Sequence, residues 1–186
     1  MFIAKSLIAV VMIVMSQAVL VAQTGVTRVW AVDEGEKVKQ DDLNHWARTD
    51  ARNPVWDGTT ISVFGGRNEV VGFQVILEAA GSGATGVDVR LDGLQGPGYT
   101  IANSGGIGDP MDFVGKRIEV FVESYINVTK RSDFSGSWGW VRPMPDVDHL
   151  GLLPDGLVPV EAPNTSPANG AGGAPFPIGA GRTQGV

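Results

Sequence analysis

Residues 59–79 read TTISVFGGRNEVVGFQVILEA, and the second half of this stretch alternates as a strand does. Glu69, Val71, Phe73, Val75, Leu77 and Ala79 fall on one face, and Val70, Gly72, Gln74, Ile76 and Glu78 on the other. The apolar row Val71, Phe73, Val75 and Leu77 is short and rich in β-branched residues, which favours strand over helix. Ahead of it, Ile61, Val63 and Phe64 form a shorter run that ends at Gly65-Gly66, a pair with the backbone freedom a turn or bulge needs. Two strands around a glycine corner predict the middle of a β-sandwich sheet.

Outward from that stretch the same period recurs. Val26 to Val32 (VTRVWAV) alternates, with Val26, Arg28, Trp30 and Val32 on one face. Residues 33–52 are polar and predict a long loop, with one helical turn around Asp42 to Ala47. Val87, Val89 and Leu91 predict a short strand, and Tyr99 with Ile101 an edge strand. Arg117 to Val128 predicts a second strong strand, with Ile118, Val120, Val122, Ile126 and Val128 aligned and Phe121 and Tyr125 opposite. From Arg142 onward, prolines at 143, 145, 154, 159, 163, 167, 175 and 177 predict a long Pro/Gly-rich loop without a strand. The expected organisation is residues 1–22 as a signal peptide, 23–141 as the β-sandwich domain, and 142–186 as the loop-like, cut-short end of that domain. The fold class expected is all-β: an antiparallel two-sheet β-sandwich, incomplete at its C-terminus.

Composition narrows the function classes. The chain has 186 residues, 43% hydrophobic and 18% charged, which is globular and long enough for one domain with a core. Cysteine is absent, so disulfides, thiolate metal sites and cysteine nucleophiles are excluded. The net charge of −6 argues against nucleic acid or an anionic membrane as partner. Lys5 precedes an apolar run from Leu7 to Met15, and small residues follow, so the N-terminus predicts an export signal cleaved after Ala22. The apolar stretch is shorter than the roughly 20 residues a spanning helix needs. A secreted or periplasmic protein with no membrane association after cleavage is expected; without Lys5 it has 13 basic and 20 acidic residues.

Each candidate for chemistry meets a plainer reading. Gly81-Ser-Gly-Ala-Thr-Gly86 has GxGxxG spacing after a strand, but Val87 to Leu91 alternates as a strand where a phosphate-binding helix should begin. It reads as a turn, and no cofactor is expected. Asp146, Asp148 and His149 lack further ligands at recognisable spacing and read as a polar loop, so no metal is expected. His45 reads as a surface residue. Glu119 and Glu123 lie about 13 Å apart along one strand face, too far for a retaining carboxylate pair, and Lys116 or Arg117 can neutralise them. No catalytic residue is assigned. Five tryptophans (30, 46, 56, 138 and 140) leave room for sugar stacking. Trp30 reads as core, whereas Trp138 and Trp140, at i and i+2 beside glycines, are the candidate stacking platform for a glycan. Arg67, Asn68 and Glu69 read as a turn whose charges satisfy backbone groups.

Four segments carry a resemblance: VWAVDEGEKV (Val29 to Val38), VWDGTTISVFGGRNEVVGFQVILEA (Val55 to Ala79), LPDGLVP (Leu153 to Pro159) and PIGAGRTQGV (Pro177 to Val186). Together they resemble the N-terminal region of secreted bacterial proteins akin to glycoside hydrolase family 123, GRNEVVGFQVILEA being the most specific. The resemblance implies a β-sandwich preceding a (β/α)₈ barrel, with the barrel carrying an Asp-Glu pair for substrate-assisted hexosaminide hydrolysis. These motifs belong to the scaffold, so no catalytic residue carries over. The chain is then expected to be a non-catalytic scaffold whose partner is a downstream catalytic barrel; the alternative is a carbohydrate-binding module using Trp138 and Trp140. An enzyme in its own right is disfavoured, and a sheet edge left exposed by a missing strand predicts aggregation.

Overall fold

The computed structural model describes residues 25–49, 51–66, 69–96, 99–103, 118–130, 150–163 and 172–186. They form an all-β chain of several antiparallel sheets. In order, the strands are β1 (Val26–Asp33), β2 (Phe73–Ala79), β3 (Ala84–Val87), β4 (Gly93–Gly96), β5 (Tyr99–Ala102), β6 (Phe121–Val128), β7 (Gly151–Pro159), β8 (Phe176–Ile178) and β9 (Thr183–Gly185). A single 3₁₀ turn, Trp46–Arg48, interrupts the loop after β1. The sheets pair as β1-β2-β9, β3-β8, β4-β5 and β6-β7.

β2 is central, as its alternation predicts. Leu77 and Ala79 point into one apolar cluster with Ala84, Val87, Val122, Phe176 and Ile178, and Val75 packs against it. Ile76, on the opposite face, belongs to a second cluster with Trp30, Val32, Val38 and Ala47. The sheet is therefore packed on both sides, and Trp30 is core, with no exposed surface. Two details differ from simple alternation. The strand starts at Phe73 rather than further upstream, and Ile61 makes only an isolated bridge to Trp56. Also, the β1-β2 register shifts between Val26 and Arg28, so Val26 leaves the Trp30 face and joins Val29 against the first cluster.

The proline-rich end is where the structure departs most from expectation. The described residues of 151–185 contain three strands, not a strand-free loop. Proline is tolerated because β7 and β8 each pair on one side within two-stranded sheets, so a missing N–H can face away from the partner. β9 pairs with β2, with Val75 and Val186 exchanging both backbone hydrogen bonds (2.7 and 3.0 Å). The outer edge of β9 is also not bare. The Gly185 N–H donates to the Tyr125 hydroxyl (3.0 Å), the Thr183 N–H to the Gln40 carbonyl (2.8 Å), and Gln184 Nε2 to the Glu123 carbonyl (2.7 Å).

Strand boundaries elsewhere shift for local reasons. β3 spans Ala84–Val87, so of the expected Val87, Val89 and Leu91 strand only Val87 is in it, and a bulge between Ala84 and Val87 accommodates Gly86 at φ 64°. β5 lies where the edge strand was expected. The polar loop after β1 acts as a strap. Its Lys37 Nζ donates to the Pro154 carbonyl (2.9 Å), the Gln40 N–H to the Leu152 carbonyl (3.0 Å), and its Lys39 carbonyl accepts from Thr183 Oγ1 (3.1 Å).

Candidate functional site

Two buried carboxylates stand out, and both have structural partners. Glu78 lies on the Ile76 face of β2, opposite Arg28 on β1. Its Oε1 accepts from the Trp30 indole N–H (2.8 Å) and from Arg48 Nε, and its Oε2 accepts from Arg48 Nη2 (2.8 Å). This fork is the arrangement a guanidinium makes best with a carboxylate. Hydrogen bonding to Glu78 raises the Arg48 pKa further above its ordinary value. The alternation of residues 69–79 places Glu78 beside Ile76, but only the pairing of β1 with β2 brings Trp30 to it.

Glu123 sits on β6 against Gly185, where any side chain would collide with its carboxyl group. Tyr125 Oη donates to Glu123 Oε2 (3.2 Å) while accepting from the Gly185 N–H. Burial raises the Glu123 pKa, opposed by the Tyr125 hydrogen bond and by the charge of Lys37. Burial also raises the Tyr125 pKa, and the Glu123 charge adds to that. Lys37 comes from the strap loop, so the neighbouring charge is not one the sequence spacing suggests; Lys116 and Arg117 lie outside the described residues. Glu119 is exposed ahead of β6, while Glu123 is buried, so the two do not share one environment.

A third constellation is aromatic. The His45 ring stacks on Trp30 at 5.6 Å between centroids and 26° between planes. Trp46 lies against the other ring neighbour, His45, at 5.9 Å and 35°. His45 is thus not the surface residue expected, since its side chain is only 10% exposed. The cause is local: its Nδ1 accepts the Ala47 N–H (3.3 Å) at the start of the 3₁₀ turn, which folds the ring inward. Its Nε2 faces Glu36 Oε2 at 3.7 Å. Trp46 remains 44% exposed, whereas Trp56 packs against the second cluster. A separate groove of about 420 Å³ opens between Asp88–Asp92, Asn103, Val160–Glu161 and Pro175.

The remaining sequence candidates fall as follows. Trp138, Trp140, Ala22, Asp146, Asp148 and His149 lie outside the described residues. Only the first half of Gly81 to Gly86 is a turn, with Gly83 at φ 76° and its N–H bonded to the Ala80 carbonyl (2.8 Å), whereas Ala84 to Gly86 already belong to β3. Glu69 closes its own turn by accepting the Gly66 N–H through Oε2, while its N–H donates to the Gly66 carbonyl (3.3 Å). Among the described residues, no three acidic or histidine side chains converge as a metal site would require, and no helix is long and apolar enough to cross a membrane. No family model, curated protein or solved structure matches the chain.

Proposed function

We propose that this chain is the non-catalytic β-sandwich support of a secreted glycoside-hydrolase-like protein, exported by residues 1–22 and seated beside a catalytic barrel. The observation that carries the reading is where the four resembling segments lie. VWAVDEGEKV contains most of β1, GRNEVVGFQVILEA contains β2, LPDGLVP lies in β7, and PIGAGRTQGV holds most of β8 and all of β9. Three of them meet in or beside the β1-β2-β9 sheet. The sandwich itself is supported by the first apolar cluster, which lies between that sheet and residues of β3, β6 and β8. The buried acids Glu78 and Glu123 are held by Arg48, Trp30 and Tyr125, which suits a rigid support.

The test is direct. The mature chain, starting at Gln23, is incubated with chromogenic hexosaminides, and no turnover is expected. Turnover by the purified chain that is lost in Glu123→Gln would overturn the support reading. For export, N-terminal sequencing of the secreted product is expected to begin at Gln23. Retention of residues 1–22 on the product would remove that part of the proposal.

A further inference from the structure

We infer that β9 is a proton-controlled latch, closed over β6 while Glu123 is protonated and lifted from β6 and from the edge of β2 when Glu123 ionises. The hydrogen bonds between β9 and β6 converge on this one residue. Gly185 lies directly against its carboxyl group, with no room for a side chain between them. The Tyr125 hydroxyl accepts the Gly185 N–H (3.0 Å) and donates to Glu123 Oε2 (3.2 Å), so a single group ties the strand to the acid. Gln184 Nε2 donates to the Glu123 backbone carbonyl (2.7 Å). Glu123, Thr183 and Gln184 are all buried. Of the strands around Glu123, β9 has three residues against eight in β6 and nine in β7, so it is the one that lifts at least cost.

The carboxyl group is well served as an acid and poorly as an anion. A buried carboxylate needs several hydrogen-bond donors or a paired cation. From β6 it has the Tyr125 hydroxyl, and from the strap loop the charge of Lys37. Lys37 Nζ is committed to the Pro154 carbonyl (2.9 Å). β9 brings only the uncharged Thr183, Gln184 and Gly185, and the cross-strand neighbour on β7 is Leu157. Arg182, next to β9, faces Asp41 at 3.5 Å. Burial raises the Tyr125 pKa, so its hydroxyl keeps its proton and Glu123 is the group that titrates. Ionisation leaves a charge under β9 with one donor, and lifting β9 admits water to it. Burial also raises the Glu123 pKa, so the closed state holds the proton more tightly than the open one. Closure is therefore fully favoured below the open-state value and is lost as pH rises through the closed-state value. What the latch controls is the edge of β2 from Val75 to Ala79, which β9 and its flanking residues cover. This device stands whether or not the chain supports a barrel.

The test is amide hydrogen exchange of the protein by NMR, expressed as protection factors so that the intrinsic pH dependence of exchange cancels. Between about pH 4 and about pH 7.5, protection at Thr183 and Gly185 is expected to fall roughly tenfold or more, while amides of β1 keep theirs. In Glu123→Gln, which keeps the uncharged shape, protection at both positions is expected to stay level over that range. On the wild type, the carboxyl carbon resonance of Glu123 should titrate with the same midpoint as the loss of protection, a readout independent of variant folding. Protection at β9 that does not fall with pH, a fall shared equally by β1, a fall that persists in Glu123→Gln, or a Glu123 midpoint apart from that of β9 would each overturn the inference.

Discussion

Arg48 and Glu78 form the most consequential contact between two side chains, because only one of them is buried enough to need the other. Glu78 is 4% exposed and loses its closest cation if Arg48 is shortened, with Arg28 left at 4.0 Å. Arg48→Ala is expected to cost about 3 kcal/mol in urea unfolding at pH 7, in line with leaving a buried charge without its partner. A loss under 0.5 kcal/mol would mean that Arg28 or water replaces the fork. Glu123 makes the stability of the fold depend on pH. Its folded pKa lies above the ordinary 4.5, so the folded state keeps a proton that the unfolded chain releases first. That contribution is fully present below the unfolded value and is lost as pH rises through the folded one. Glu123→Gln is therefore expected to gain stability relative to wild type between pH 4 and pH 7.5, measured by urea unfolding at both. A difference that does not change with pH would contradict the assignment. Of these residues, the sequence makes Trp30 legible as core because it lies in an alternating strand; it hides the role of His45, whose burial depends on a three-residue turn.

At the scale of the element, β9 is the least legible strand and the most instructive. Thr183 to Gly185 is three residues long, with two glycines close by and no apolar alternation. It is a strand only because β2 offers its backbone on one side, and the Tyr125 hydroxyl and the Gln40 and Glu123 carbonyls accept hydrogen bonds from its residues elsewhere. Tyr125→Phe removes the acceptor of the Gly185 N–H and the donor to Glu123 together. It is expected to destabilise by about 1–3 kcal/mol, read by thermal unfolding. The edge it uncovers is also expected to raise self-association, read by light scattering at high concentration. Unchanged stability and scattering would show that the edge is protected by other means. β2, by contrast, is legible from its own residues, since alternation over Phe73 to Ala79 needs no knowledge of the partner strands. β7 and β8 were hidden by prolines, which forbid a central strand but permit one paired on a single side.

For the molecule as a whole, adjacent residues of β2 feed opposite cores. Leu77 belongs to the cluster shared with β3, β6 and β8, and Ile76 to the one built from β1 and the strap loop. Both have no exposed surface. Leu77→Ala and Ile76→Ala are each expected to cost 2–5 kcal/mol by denaturant unfolding, the usual range for large-to-small core changes of about this size. If only one does, the two clusters do not contribute alike to one cooperative fold. The candidate site was less legible than the cores. The sequence drew attention to Trp138 and Trp140 because they are neighbours beside glycines, whereas Trp46 lacked any pattern around it. Its setting on His45 and Trp30 joins residues 30, 45 and 46 across a loop.

The amino-acid sequence alone determined that this chain is built from strands, that Val75 and Leu77 face a core, that Trp30 is buried, and that thiol chemistry is excluded. Those follow from local periodicity and composition, which each segment carries by itself. Tertiary structure decided that the proline-rich end pairs into strands, that Glu78 and Glu123 are buried with partners, and that His45 backs an exposed indole. Each of these depends on groups far apart in the chain meeting at hydrogen-bond or van der Waals distance, and no local pattern encodes such a meeting.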